Sequence, residues 1–303
     1  MRDATVAELR PNSLEHIQRM MRVKYALRFI PDVPYLKLYY RRNFGRWPDL
    51  KHPKTYNEKI QWLKLHDRNP RYTRMVDKLE AKKIAVEMFG AEHVIPVLGI
   101  WDRFDDIDFD ALPDSFVLKV THDSLSFCIV EDKAKLDLAA TKAKMEATLR
   151  RNYYYIAREW AYKDVKPRIF AEKLVDDGHE GALWDYKFWC FGGEPKFYGI
   201  VSDKIGDGFC GTFFDMDQNP MPCCSVAPGR KDVPQPPHFS EMVEAARIAS
   251  AGLAHLRVDF YDTPDQWYFG EYTFYHTAGF IPWDPPEYDR TFGDLIDLSL
   301  VSG

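Results

Sequence analysis

RVDFYDTPDQWYFGEYT, residues 257–273, is the stretch that decides the fold. It breaks at Asp262-Thr263-Pro264-Asp265, a run of turn formers, and its flanks are rich in aromatic residues. These flanks read as strands over 256–261 and 267–274. Side chains alternate faces along a strand. Arg257 and Asp259 therefore share one face of the first strand, and Glu271 and Thr273 share one face of the second. If the strands pair, two carboxylates and a hydroxyl meet beside an arginine. Such a set suits Mg²⁺, which prefers oxygen donors and keeps waters for substrate phosphates. Spacing alone equally allows an ordinary salt bridge across two strands.

Working outward, FVLKV at 116–120 and FCIV at 127–130 are short apolar strands around the polar turn His122-Asp123-Ser124. Residues 94–101, 169–175 and 209–214 are further strand candidates. Residues 185–191 and 196–201 form a hairpin around Gly192-Gly193. Helical spacing covers 13–30, with Pro31 and Pro34 ending it. Further helices are expected over 56–66, 73–89 (closed by Gly90), 135–160 and 240–255. The Pro-rich run 228–237 is a loop. This order predicts an α+β protein with two sheets facing each other. No internal repeat or low-complexity tract interrupts it.

The 303 residues are 46% hydrophobic and 29% charged, the profile of a globular chain with an ample core. A net charge of −5 argues against a general nucleic-acid binder. The charge is uneven, because residues 1–60 carry +7 and the rest −12. The basic part also holds Tyr35, Tyr39, Tyr40, Phe44 and Trp47. Such a leader can sit on an anionic membrane face or a partner. The alternative is a helical arm that packs its aromatics on the main body, and the lack of a strict amphipathic pattern favours this. Five cysteines, Cys223 and Cys224 adjacent and the other three scattered, include no C-x-x-C pair, so they suggest neither a zinc site nor a redox motif and suit a reducing cytosol. The N-terminus is too polar for a signal peptide, and no run of about 18 apolar residues is present. The expected location is cytoplasmic, extending to the inner membrane face.

The 257–273 arrangement resembles the C-terminal half of an ATP-grasp site, where an Arg-hydrophobic-Asp strand precedes a Glu-x-Asn strand. From about Asn57 the chain looks like the teichuronopeptide-biosynthesis (TupA-like) branch of that group. The carriers are Asn57-Glu58-Lys59-Ile60-Gln61-Trp62-Leu63-Lys64-Leu65, Val76-Asp77-Lys78 and Ile95-Pro96-Val97-Leu98-Gly99-Ile100-Trp101. Asn152-Tyr153-Tyr154-Tyr155, Arg158-Glu159-Trp160, Pro167-Arg168-Ile169, Asp185-Tyr186-Lys187-Phe188 and Phe269-Gly270-Glu271 continue the match. The resemblance implies the ATP-grasp fold, two α+β subdomains clasping ATP, with a helical N-terminal extension. Residues 1–72 would be the extension and 73–303 the ATP-grasp domain, with lobes of about 73–168 and 169–303.

The resemblance also implies a site. Asp259 and Glu271 would hold Mg²⁺, with Thr273 where many relatives have Asn. Arg257 would stabilise the reacting carboxyl group. Lys78 and Lys119 would reach ATP phosphate, Ser124 lies in the turn that covers it, and Glu172 and Leu174 belong to the strand that binds adenine. Asp185 would meet the ribose and Lys187 a phosphate, and Lys204 could add a further positive charge. The implied reaction joins a carboxylate to an amine through an acyl-phosphate, on small-molecule or glycan substrates of bacterial capsule or cell-surface polysaccharide biosynthesis. His276 or His122 is the candidate base, although a lone histidine near a loop is more often structural.

Two departures stand out. The turn His122-Asp123-Ser124-Leu125-Ser126 lacks the family's glycines, and Asp123 would repel phosphate. His276-Thr277-Ala278-Gly279 replaces a Pro-Gly-Ser-Gly pattern. Other readings stay open. Asp106-Ile107-Asp108, Asp108-Phe109-Asp110 and Asp215-Met216-Asp217 are Asp-x-Asp patterns of the kind glycosyltransferases use, although 215–219 reads better as a turn. A binding module that has lost catalysis, or a phosphotransferase acting on an alcohol, are further alternatives.

Overall fold

The computed structural model describes residues 23–123, 126–178, 183–203, 210–224, 227–228 and 233–301. In chain order come helices α1 (Asp32–Phe44), α2 (Tyr56–His66), α3 (Arg71–Val76) and α4 (Lys78–Phe89). Strands β1 (Val97–Trp101), β2 (Phe116–Val120) and β3 (Phe127–Val130) follow. Helices α5 (Leu138–Leu149) and α6 (Tyr154–Ala157) lead to β4 (Ile169–Lys173). Next are β5 (Asp185–Phe191), β6 (Glu194–Asp203), β7 (Cys210–Asp215), β8 (Pro220–Met221) and β9 (Ala227–Pro228). Helix α7 (Phe239–Ser250), strands β10 (His255–Asp262) and β11 (Trp267–Thr273) and helix α8 (Glu287–Leu295) complete the series.

The chain divides into two units, and the second interrupts the first. Residues through Arg68 join those from Asp177 onward, and Asn69–Asp176 form the other unit. The boundaries expected from sequence stand at 72 and 168 instead. Strand β4 explains the second difference, because it pairs with both β1 and β2. Hydrogen bonding to those strands ties it to the unit before it.

The inserted unit carries a four-stranded sheet in the order β1-β4-β2-β3. Phe116, Leu118, Val120, Ile169 and Ala171 all face one core with Phe104, Leu112 and Met145. By alternation, the opposite face bears Val117, Lys119, Phe170 and Glu172.

The larger unit carries the antiparallel order β11-β10-β5-β6-β7-β8, with β9 beside β7. Helix α7 covers one face through buried Met242, Ala245, Ala246 and Ala249, and Phe239 at its start packs on Phe188 and Tyr198. The other face is shared. One part lies under α2, whose Tyr56 meets the rings of His255, Phe191 and Trp283. The rest carries the charged residues described below.

Local signals explain these elements and some departures from expectation. Thr55 and Glu58 cap α2 reciprocally, each side chain accepting the other's backbone N–H. Pro31 and Pro34 open α1 rather than end a helix. Pro31 is the N-cap, and Pro34 lies in the first turn, where a missing N–H costs nothing. Residues 23–26 are helical, whereas 13–22 of the expected 13–30 helix lie outside the described residues. The single helix expected over 73–89 is two, because Asp77 turns extended and accepts from Leu79 N and Glu80 N to start α4. The 135–160 helix is likewise shorter, since α5 ends at Leu149.

Candidate active site

The register of the large sheet gathers the charged residues. Across β10 and β11, Arg257 faces Thr273 and Asp259 faces Glu271. Across β10 and β5, Asp259 faces Lys187. Directly opposed residues share a face, so Asp185, Lys187, Arg257, Asp259, Glu271 and Thr273 form one patch. A bulge between Asp259 and Phe260 keeps this register, with Gly270 as the extra residue. Glycine is needed there because a Cβ would stand 2.9 Å from the Asp259 carbonyl oxygen.

Arg257 is the hub. Its Nε and Nη2 donate to the two oxygens of Asp259, each at 2.7 Å, a bidentate pair. Nη2 also reaches Thr273 Oγ1 at 3.0 Å and Glu271 Oε1 at 3.3 Å. The guanidinium lies over the Trp189 ring, 5.8 Å from its centroid. Lys187 Nζ bridges Asp259 at 2.6 Å and Asp185 at 2.9 Å. Burial works against the Lys187 charge, but Asp185 and Asp259 outweigh it and the pKa is raised. For Arg257 too, Asp259 and Glu271 overcome burial and raise the pKa, fixing the positive charge.

His276 ends this chain of contacts, with its Nδ1 2.7 Å from Arg257 Nη1. Arginine only donates, so Nδ1 accepts. Burial first, and then the neighbouring Arg257, hold the imidazole well below its ordinary pKa. This geometry disfavours the general-base role expected of His276, because Arg257 takes the Nδ1 lone pair and burial works against protonation. His276 instead holds one edge of the Arg257 guanidinium. It opens a turn in which Thr277 and Ala278 take left-handed φ of 49° and 54°, at about 1–2 kcal/mol each. Helix α2 braces the turn. Gln61 Nε2 donates to Gly279 O at 2.7 Å, and buried Lys64 Nζ donates to Ala278 O at 2.6 Å.

The inserted unit forms a second, separate cluster. Glu172, buried on β4, pairs with Lys119 and with Lys82 of α4, the latter at 3.0 Å. Burial raises its pKa, but Lys119 and Lys82 dominate and bring it down to about 2. Lys78 begins α4, and its backbone N–H donates to Thr121 O at 3.1 Å, docking the helix start on the turn after β2. Leu174 follows directly on β4, half-buried. On the same sheet face, Phe127, Ile129, Val97 and Ile100 are partly exposed.

The turn after β2 also differs from expectation. Asp123 does not present a bare negative charge, because Arg151 donates to its Oδ2 at 2.7 Å and Ser126 Oγ at 3.2 Å. His122 donates from Nε2 to Thr148 O at 3.2 Å, and burial lowers its pKa. Burial thus works against its protonated form. Ser124 and Lys204 lie outside the described residues.

Four residues with parts in these clusters were given no role from sequence. Lys82 stands one helical turn after Lys78, a signal that i, i+4 spacing offered. Gln61, Lys64 and Arg151 had no such signal, since their partners are distant in the chain.

Among the described residues no group of three or more His, Cys, Asp or Glu is arranged for a metal. The patch on the large sheet still fits Mg²⁺, which needs only one or two carboxylates. Glu271 is its accessible donor, with a side chain 32% exposed. Asp259 is nearly inaccessible and already ion-paired, so its role as a ligand needs Lys187 or Arg257 to release it. Thr273 Oγ1 lies 3.3 Å from Glu271 Oε1.

The family description "TupA-like ATPgrasp" matches residues 58–297. The chain belongs to this TupA-like ATP-grasp family. Its fold is that of the ATP-grasp group, α+β with a helical N-terminal region. No curated protein matches the chain. Among solved structures, D-alanine–D-alanine ligase from Bacillus anthracis is 16% identical, with a TM-score of 0.44, over 73% of this chain and 66% of that one. The ATP-grasp ligase PsnB with a minimal precursor is 13% identical, with a TM-score of 0.39, over 69% and 55%. N5-carboxyaminoimidazole ribonucleotide synthetase from Thermus thermophilus is 12% identical, with a TM-score of 0.36, over 78% and 50%. The chain thus spans about half to two thirds of the length of these structures.

Proposed function

We propose that this TupA-like protein is an ATP-dependent ligase that joins a carboxylate to an amine through an acyl-phosphate. The observation that carries the reading is Arg257, held between Asp259, Glu271 and Thr273 on one sheet face of a chain in this family. Each unit carries its own charged cluster. Three carboxylates face two cations around Arg257, which suits a divalent cation. In the inserted unit two lysines face one glutamate, which suits phosphate, and the adjacent apolar face suits a nucleobase.

In this reading Glu271, with Asp259 and Thr273, would hold Mg²⁺, which would supply positive charge against the phosphates. Lys78, Lys119 and Lys187 neutralise the phosphates, Asp185 meets the ribose, and Glu172 and Leu174 border the adenine. A substrate carboxylate oxygen attacks the γ-phosphorus, the bond to the β-phosphate oxygen breaks, and ADP leaves. An amine nitrogen then attacks the acyl carbon and phosphate departs. Arg257, charged at any working pH, stabilises the oxyanion between these events. With His276 and His122 disfavoured as bases, the departing phosphate takes the amine proton. Positioning and charge stabilisation do most of the work.

We propose further, from the resemblance to the teichuronopeptide branch alone, a substrate in bacterial cell-surface polysaccharide or capsule synthesis, handled in the cytoplasm. The rival glycosyltransferase reading is weakened at one of its three Asp-x-Asp patterns, 215–217. Asp215 spends its carboxylate on the turn, accepting from Asp217 N and Asn219 N at 3.0 and 2.8 Å.

The test is ADP release from Mg-ATP in the presence of a uronic acid and an amino acid. Release that needs both substrates supports the ligase, and Glu271→Gln is expected to abolish it. Unchanged release by Glu271→Gln removes the metal assignment. Transfer of a phosphate to the acceptor without need of the amine replaces the ligase by a phosphotransferase.

A further inference from the structure

We infer that residues 23–47 form a docking surface for an anionic lipid bilayer. The segment carries Lys24, Arg28, Lys37, Arg41, Arg42 and Arg46 against Asp32 alone, in a chain that is acidic overall. Six of the fifteen large hydrophobic residues exposed among the described residues also lie here. Phe29 is 78% exposed, Leu38 55% and Trp47 50%. Few other stretches combine the two properties, and the apolar face of β1 and β3 belongs to the site already described.

The surface is held in shape from behind. Helix α1 turns Tyr35, Leu36 and Tyr40 inward. Tyr40 stacks on Phe44 at 4.2 Å and accepts from Arg46 Nη2 at 2.9 Å, and Arg46 also pairs with buried Glu58 of α2. The outward side presents Val33, Leu38, Arg41 and Arg42, with Arg41 stacked over the Trp47 ring at 4.6 Å. Among the described residues Lys37, Arg41 and Arg42 have no carboxylate partner, so no described carboxylate neutralises them. The aromatics expected to pack on the body therefore divide: the tyrosines of α1 do so, and Trp47 does not.

A bilayer meets both halves of this surface. Guanidinium groups bind lipid phosphate, and Leu38, Val33, Phe29 and Trp47 enter the boundary between headgroups and acyl chains. A soluble polyanion such as nucleic acid would use the charges and leave the apolar side chains in water, and the acidic remainder would oppose it. No helix among the described residues is long and apolar enough to cross a membrane, so the contact is peripheral. This inference does not depend on the ligase reading, and ATP turnover plays no part in its test.

The test is co-sedimentation of the full chain with phosphatidylcholine vesicles, with and without phosphatidylglycerol, across a salt series. The chain is expected to sediment only with the anionic vesicles and to be released by salt. Lys37→Gln with Arg41→Gln and Arg42→Gln should weaken binding at least about tenfold. Leu38→Ser with Trp47→Ala should weaken vesicle binding while leaving binding to polyphosphate unchanged. Thermal unfolding of both variants should match that of the parent, and each variant tests the proposal independently. Failure to bind anionic vesicles overturns it. So does binding that tolerates the Leu38 and Trp47 changes, because the surface would then recognise soluble polyanions instead.

Discussion

Arg257 is fastened on several sides, by a bidentate carboxylate, a hydroxyl, a second carboxylate, an imidazole and an indole face. Lysine keeps the charge but not the fork. Arg257→Lys is therefore expected to cut the rate of amide formation about 10²–10³-fold, with KM for ATP changed far less, as steady-state kinetics will show. The buried histidines give a pH dependence of stability. Burial holds His255 down to about 3, against 6.5 in the unfolded chain, and His276 shifts the same way. The unfolded chain binds protons first, so stability is whole above pH 6.5 and is lost as pH falls from 6.5 toward 3. Each histidine contributes a slope of up to about 1.4 kcal/mol per pH unit, readable as denaturation midpoints from about pH 7.5 to about pH 5. The Arg257–Asp259 and Glu271–Thr273 pairings were legible from alternation along two strands. The suppression of His276 was not, because it depends on a lone pair aimed at an arginine 19 residues away.

At the scale of elements, β10 and β11 meet through a bulge that leaves Gly270 against Asp259. Gly270→Ala should push the strands apart, costing about 1–3 kcal/mol. The loss appears as a lower melting temperature together with weaker Mg-ATP binding, since Glu271 is the next residue. Strands 116–120, 127–130 and 185–191 were readable to the residue, the first two as short, largely apolar runs and the third because its aromatics end at Gly192-Gly193. Helix ends were less so. Pro31 and Pro34 read as a stop, yet a proline at a first turn is a start. Asp77 splits an apparently continuous helix by capping its second half, and Arg168 lies 3.3 Å from its carboxylate.

At the scale of the molecule, the larger unit is discontinuous in the chain and the smaller one is continuous. A shortened chain of residues 69–176 has its own sheet and core. It is expected to give native-like circular dichroism and a single cooperative unfolding transition. The family resemblance implied two lobes, but the interruption was invisible, since a boundary set by β4 pairing backward leaves no local trace. The bracing of the turn at Thr277 and Ala278 by Gln61 and Lys64 has a further bearing, on recombination. The family match starts at residue 58, inside α2. A crossover placed there, between this chain and a homologue, would separate Gln61 and Lys64 from Thr55, which caps their helix, and from Tyr56, which anchors it on His255. Hybrids joined upstream of Arg46 inherit the brace whole. Those joined at the family border would inherit the Arg257 patch with its supporting turn unpinned.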